Sequence, residues 1–106
     1  MKTSELTGVF LDWAVTKAEG LSHDFDGPES IWGCHGWATR WEMGGPIIER
    51  EGIELFRNNE KDYWFTSKAR GQIGTGPTPL IAAMRCYVAS QLCDEVDIPE
   101  QLMEVA

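Results

Sequence analysis

The chain has 106 residues, with 17 acidic and nine basic side chains and a formal net charge of −8. A length near 100 residues predicts one domain, large enough to bury a core without a metal or disulfide framework. The excess negative charge disfavours general binding to nucleic acid or to anionic membranes, because both need a surface rich in lysine and arginine.

The first predicted element is a helix that starts at a cap formed by Thr3 or Ser4 and ends at Gly20. Its apolar face recurs at helical spacing and consists of Leu6, Val9, Phe10, Trp13, Ala14 and the stem of Lys17. Residues 21–45 show no periodicity but contain three tryptophans, so we expect a long loop that these rings anchor to the core.

A short helix, a hairpin and a second loop are predicted in the middle of the chain. Pro46 favours the first position of a helix, where its missing N–H has no cost, and Gly52 favours the end of it. Residues 53–56 and 63–66 alternate in polarity around a polar turn, which predicts a β-hairpin. Residues 71–76 contain three glycines and indicate a glycine-rich loop.

The clearest predicted element is a helix that follows Thr78. Pro79 keeps Thr78 out of the helical region, which suits an N-cap, and is itself the first helical residue. The predicted buried stripe consists of Leu80, Met84, Tyr87, Val88 and Leu92, with Ile81 beside it. These elements predict a small α+β domain over residues 1–98, with terminal helices packed on the hairpin, and an acidic tail at 99–106.

No metal site, cofactor site or catalytic set is predicted. His23, Cys34 and His35 lack the spacing of zinc ligands, and no partner that would orient a nucleophile and base can be named. The three cysteines are irregularly spaced, which disfavours a secreted disulfide scaffold. No apolar run reaches the length of a membrane span and no signal peptide is visible, so we expect a cytoplasmic protein.

Two features could bind a ligand. The loop at 71–76 precedes a helix N-terminus, with Lys68 and Arg70 just upstream, and such a geometry can hold an anion; a flexible connection is the simpler interpretation. The tryptophans could stack on a ligand, but we expect Trp13 and Trp41 to be mostly buried and to serve the core.

Several long segments resemble one phage family. Residues 39–51 and 76–90, together with 3–8 and 11–15, are similar to the NinX-like family from the nin region of lambdoid phages, a domain family of unknown function. The resemblance covers most of the chain outside 21–37 and the tail. It implies phage origin and an intracellular setting, and it implies no activity.

A non-enzymatic binding or adaptor protein is therefore the first functional hypothesis. Its candidate binding residues are Trp41, Gly44, Gly45, Pro46, Lys68, Arg70 and Thr78. An acidic inhibitor of a host protein, which could imitate DNA, is the second hypothesis, and a small enzyme is the third. The expected partner is a protein rather than a membrane.

Duplex nucleic acid is not an expected partner. The hairpin region carries four basic residues, Arg57, Lys61, Lys68 and Arg70, against two acidic ones. Firm binding to a duplex takes roughly six to ten phosphate contacts, and the rest of the chain repels the duplex.

Overall fold

The computed structural model describes residues 2–19, 37–60, 62–68, 71–92 and 95–96. Its elements in chain order are a 3₁₀ turn (Thr3–Glu5), α1 (Gly8–Ala18), α2 (Trp41–Glu51), β1 (Glu54–Asn58), β2 (Tyr63–Ser67), β3 (Ile73–Gly76) and α3 (Pro79–Leu92). The strands form one antiparallel sheet in the order β1-β2-β3, and the helices flank it. This is an α+β domain, as the sequence predicted.

Helix α1 begins later than the sequence predicted. Thr7, not Thr3 or Ser4, occupies the N-cap position, and the residues that were expected to start the helix form the separate 3₁₀ turn. Gly8, the first residue of α1, has a positive φ of 53°, a left-handed conformation that glycine adopts readily. This glycine therefore marks the actual start of the helix. Gly20 lies outside the described residues.

Helix α2 begins five residues before Pro46, so the prediction that Pro46 opens it was wrong. A proline inside a helix leaves the carbonyl four residues earlier, here that of Glu42, without its helical partner. Packing compensates for this loss, because Gly44 and Ile47 are buried against the core. The predicted end is confirmed, since Gly52 caps the helix with a left-handed φ of 64°.

The hairpin is confirmed, but the predicted glycine-rich loop at 71–76 was wrong. Four of its residues form β3, which pairs with β2 along its whole length. A Cβ at Gly74 would collide with the carbonyl of Ala82, and one at Gly76 would lie 2.9 Å from the side chain of Ile81. These glycines therefore allow α3 to approach the sheet closely, a role that a glycine count cannot distinguish from loop formation.

Helix α3 is buried over most of its circumference rather than along one stripe. Among the described elements it contacts all three strands and both other helices, and residues Leu80 and Ala82 to Val88 are buried. Its predicted start is confirmed, because the Thr78 hydroxyl accepts a hydrogen bond from the backbone N–H of Ile81 at 3.1 Å. A central helix of this kind is apolar all round, so a one-sided pattern underestimates its burial.

The tryptophans do not all serve the core. Trp13 and Trp37 are buried, and the Trp37 indole N–H donates to the hydroxyl of Thr16 at 3.0 Å. Trp41 is 54% exposed, so the prediction that it is mostly buried was wrong. It is the first residue of α2, and Gly44 and Ile47 further along the helix take the buried positions instead.

Candidate functional site

A groove lies where α2 and α3 begin side by side. It has a volume of about 260 Å³, and it is lined by Ala38, Thr39, Trp41, Thr78, Pro79, Leu80 and Ile81. Trp41 and Thr78, two of the candidate binding residues, therefore share one surface although they are distant in the sequence. The lining is neutral and mainly apolar, with the threonines as its polar members.

Gly44, Gly45 and Pro46 follow Trp41 along α2 and are not among the residues that line the groove. A Cβ at Gly44 would collide with the backbone carbonyl of Trp37 and would lie 2.7 Å from Leu80 Cδ2. Gly44 thus brings the two helix starts together, which creates the groove. Gly45 lies beside the Trp41 ring, where an added Cβ would be 3.9 Å from Cε3, and Pro46 is exposed.

Lys68 lies elsewhere, at the opposite ends of the same helices. Its ammonium group contacts Glu51 Oε1 at 2.7 Å and Ser90 Oγ at 3.3 Å. Glu51 ends α2, about 15 Å along the helix axis from Trp41. The structure therefore separates Lys68 from the groove, and it pairs the lysine with a carboxylate instead of leaving it available for a ligand anion.

Lys68 belongs to a polar network that sequence reasoning missed. The Arg50 guanidinium donates to both oxygens of Glu19, at 3.1 and 2.7 Å, and to Glu51 at 2.9 Å. The Tyr87 hydroxyl donates to Glu19 and accepts from Arg50 at 3.1 Å. The network links the ends of α1, α2 and α3, and no local spacing in the sequence indicates it.

The electrostatics of this network are those of satisfied ion pairs. Hydrogen bonds from Arg50 hold the pKa of Glu19 below its ordinary value, and hydrogen bonds from Lys68 and then Arg50 do the same for Glu51. Burial, followed by the hydrogen bond to Glu19, raises the pKa of Tyr87. Neither carboxyl group is held protonated near neutral pH, as a general acid would be, so a structural role fits both.

A second arginine, Arg85, is buried in the middle of α3. Only 9% of its surface is exposed, and its guanidinium donates to the carbonyl oxygens of Leu6 at 2.9 Å and Thr75 at 2.7 Å. Burial lowers its pKa. The signal for this residue was present in the sequence, because Arg85 interrupts a run of buried apolar residues.

The remaining sequence predictions concern residues beyond this part of the structure. Arg70, His23, Cys34, His35 and the tail at 99–106 lie outside the described residues. Within the described ranges, no three His, Cys, Asp or Glu side chains converge in a way that could hold a metal ion. No helix in those ranges is long and apolar enough to cross a membrane.

Comparison with known proteins identifies one family. The family model described as "Bacteriophage P22, NinX" matches residues 2–91, which include every helix and strand of the described structure except the last residue of α3. The search of curated proteins finds no match. The match therefore includes both helix starts that form the groove, the polar network and Arg85.

Proposed function

The chain belongs to the NinX family of bacteriophage P22, and from this premise we propose that it is a non-enzymatic binding protein of the phage-producing cell. The exposure of Trp41 at the groove between the starts of α2 and α3 carries the proposal. A large aromatic ring exposed beside a concave apolar surface is a common centre of a protein interface. The absence of a membrane-spanning helix in the described ranges is compatible with action in the cytoplasm.

The chemistry of the groove favours a short segment of a partner protein as its ligand. A volume of about 260 Å³ suits one or two apolar side chains rather than a folded surface. Trp41 and Pro79 offer flat apolar faces, and the hydroxyl of Thr78, which accepts from Ile81, can still donate to a peptide carbonyl. We therefore assign the groove to an extended segment that inserts an apolar side chain beside Trp41.

Nucleic acid fits this groove poorly. No charged residue is among the described residues that line it, and Arg40 and Glu42, which flank Trp41 in the chain, pair with each other at 2.9 Å. Binding of single strands by stacking normally combines aromatic rings with a positively charged groove. The Trp41 groove offers an aromatic ring, but its lining is neutral and so lacks the positive charge.

The test compares Trp41→Ala with Phe56→Ala. Phe56 is a matched control, because it is also an exposed aromatic residue, at 46%, but it lies on β1 away from the groove. Tagged versions of the wild type and both variants are expressed in phage-infected or prophage-induced cells, and the captured proteins are quantified by mass spectrometry. A protein that is lost with Trp41→Ala alone is then purified and titrated calorimetrically.

The proposal expects a partner whose affinity falls at least tenfold with Trp41→Ala and changes less than twofold with Phe56→Ala. Equal capture by all three forms, or equal loss in both variants, would contradict the groove as the site. A partner that binds Trp41→Ala normally but dissociates at high salt would favour the acidic-inhibitor hypothesis instead. Circular dichroism of each variant checks that the fold is retained.

A further inference from the structure

Arg85 is a buried cation without a counter-charge among the described residues. Two of its five N–H donors bond to the carbonyls of Leu6 and Thr75, and the other three have no partner in this part of the chain. Removal of a charge from water is costly unless an opposite charge or a full set of hydrogen bonds replaces the water. Although the residue is nine-tenths buried, its remaining N–H groups are not sealed from solvent and stay open to a ligand.

The guanidinium also borders a pocket. This pocket has a volume of about 270 Å³ and lies between the N-terminal turn, the outer side of β3 and the last turns of α3. Its lining consists of Lys2, Thr3, Ser4, Ile73, Gly74, Thr75, Arg85, Ala89 and Glu95. A second cation and a serine hydroxyl therefore line the same space as the guanidinium.

The arrangement of charge around this pocket is uneven. Arg85 and Lys2 line it together, and neither forms an ion pair with another described residue. Glu95 also lines the pocket, and its backbone pairs with that of Lys2 in an isolated bridge. The two cations exceed the one carboxylate, so the pocket has a net positive charge within a chain of net charge −8.

We propose that this pocket binds the oxyanion group of a small molecule, with Arg85 as the buried anchor and Lys2 as the second cation. A guanidinium offers its remaining N–H groups to the paired oxygens of a carboxylate or a phosphate, and an ammonium adds a point charge. The pocket is slightly smaller than the roughly 300–1,000 Å³ of common ligand sites, so it suits a small ligand. This site is separate from the Trp41 groove and does not depend on it.

The experiment is an NMR titration that follows the Arg85 Nε–H signal, which the hydrogen bond to Leu6 holds in one environment. Inorganic phosphate and succinate are added separately at pH 7, with sodium chloride adjusted to constant ionic strength. Saturable movement of this signal is expected. The probe with the lower Kd shows whether the pocket prefers a phosphate or a carboxylate group. Arg85→Lys lacks this signal, so the backbone amide signals of Ser4 and Thr75 at the pocket report for it, and they should no longer move saturably if that variant folds.

Two exposed pocket residues keep the proposal testable even if Arg85→Lys fails to fold. Lys2→Gln should raise the Kd about threefold, and Glu95→Gln should lower it about threefold, since each changes one charge at the pocket. Lys17→Gln and Glu5→Gln are the matched controls, because they change the same charges outside the pocket. The controls should leave the Kd unchanged.

Three results would overturn the proposal. The Arg85 signal could fail to saturate with either anion. Lys17→Gln could weaken binding as much as Lys2→Gln, which would mean that diffuse charge and not the pocket attracts the anion. Glu95→Gln could leave the Kd unchanged, which would place the anion away from the pocket that Glu95 lines.

Discussion

Arg50 and Arg85 show two ways in which this small domain accommodates an arginine. Arg50 is half-exposed and bonds to two carboxylates, Glu19 and Glu51, which raise its pKa further above the ordinary value. Arg85 is buried, bonds to two backbone carbonyls among the described residues, and has its pKa lowered by burial. One guanidinium is fully compensated at the surface, while the other is incompletely compensated inside.

The difference distinguishes an ion-pair network that stabilises the fold from a cation that can bind a ligand. A charge with a full set of opposite partners gains little from a ligand, so the Arg50 network acts as a link between three helices. A buried charge with unused donors gains much from an added anion. A charged group with a shifted pKa therefore indicates a ligand site only where the protein's own groups leave some of its hydrogen-bond donors unpaired.

The largest expected difference between the two arginines is in the free energy of unfolding when each is replaced by alanine. Arg85→Ala should lower the free energy of unfolding by about 3 kcal/mol, because two buried carbonyls lose charged donors and the side-chain stem leaves a cavity. Arg50→Ala should cost about 1 kcal/mol, because its partners regain water at the surface. Urea denaturation of both variants measures the difference.

Equal costs for the two variants would contradict this ranking. It would mean that the surface network contributes as much as the buried arginine. Ser4→Ala provides a control near Arg85, because Ser4 is exposed and lies in the N-terminal turn. It should change the free energy of unfolding by less than about 0.5 kcal/mol.

The next effect is the response of the Arg50 network to acid. Glu19 and Glu51 have lowered pKa values in the folded protein, so their stabilisation is complete above their ordinary pKa of 4.5. It is lost as the pH falls below 4.5 through the lowered values, because the unfolded chain then binds more protons. The double variant Glu19→Gln, Glu51→Gln should therefore show a shallower loss of stability over that range.

Thermal unfolding between pH 7 and pH 3 measures this dependence. The matched control is Glu49→Gln, Glu54→Gln, which removes the same number of charges from exposed positions. The control should keep the wild-type slope below pH 4.5. A control with the same shallow slope as the network variant would assign the acid response to net charge instead of to the network.

The smallest expected effect concerns the start of α3. Thr78→Ala should lower the free energy of unfolding by about 1 kcal/mol, because the N–H of Ile81 loses its side-chain acceptor. Thr39→Ala is the control, since Thr39 is an exposed threonine on the same groove. An unchanged denaturation midpoint for Thr78→Ala would show that the observed hydrogen bond contributes no stability.

Local signals in the sequence were most reliable where one residue type has one physical use. Thr78 before Pro79 predicted the start of α3, and Gly52 predicted the end of α2, because capping depends on adjacent residues. The prediction that Pro46 starts α2 was wrong because tertiary packing maintains the helix on both sides of the proline. The prediction of a loop at 71–76 was wrong because glycine occurs both in flexible turns and where a strand packs closely against a helix.

The sequence alone determined the α+β class, the hairpin, the main capped helix and the resemblance to a phage family. These depend on periodicity, on turn and cap residues and on long matching segments, all of which are local along the chain. The tertiary structure decided that Trp41 is exposed, that Lys68 is paired with Glu51 and that Arg85 borders a pocket. Exposure and charge pairing depend on which distant elements pack together, and among the described elements α3 packs against every other helix and strand.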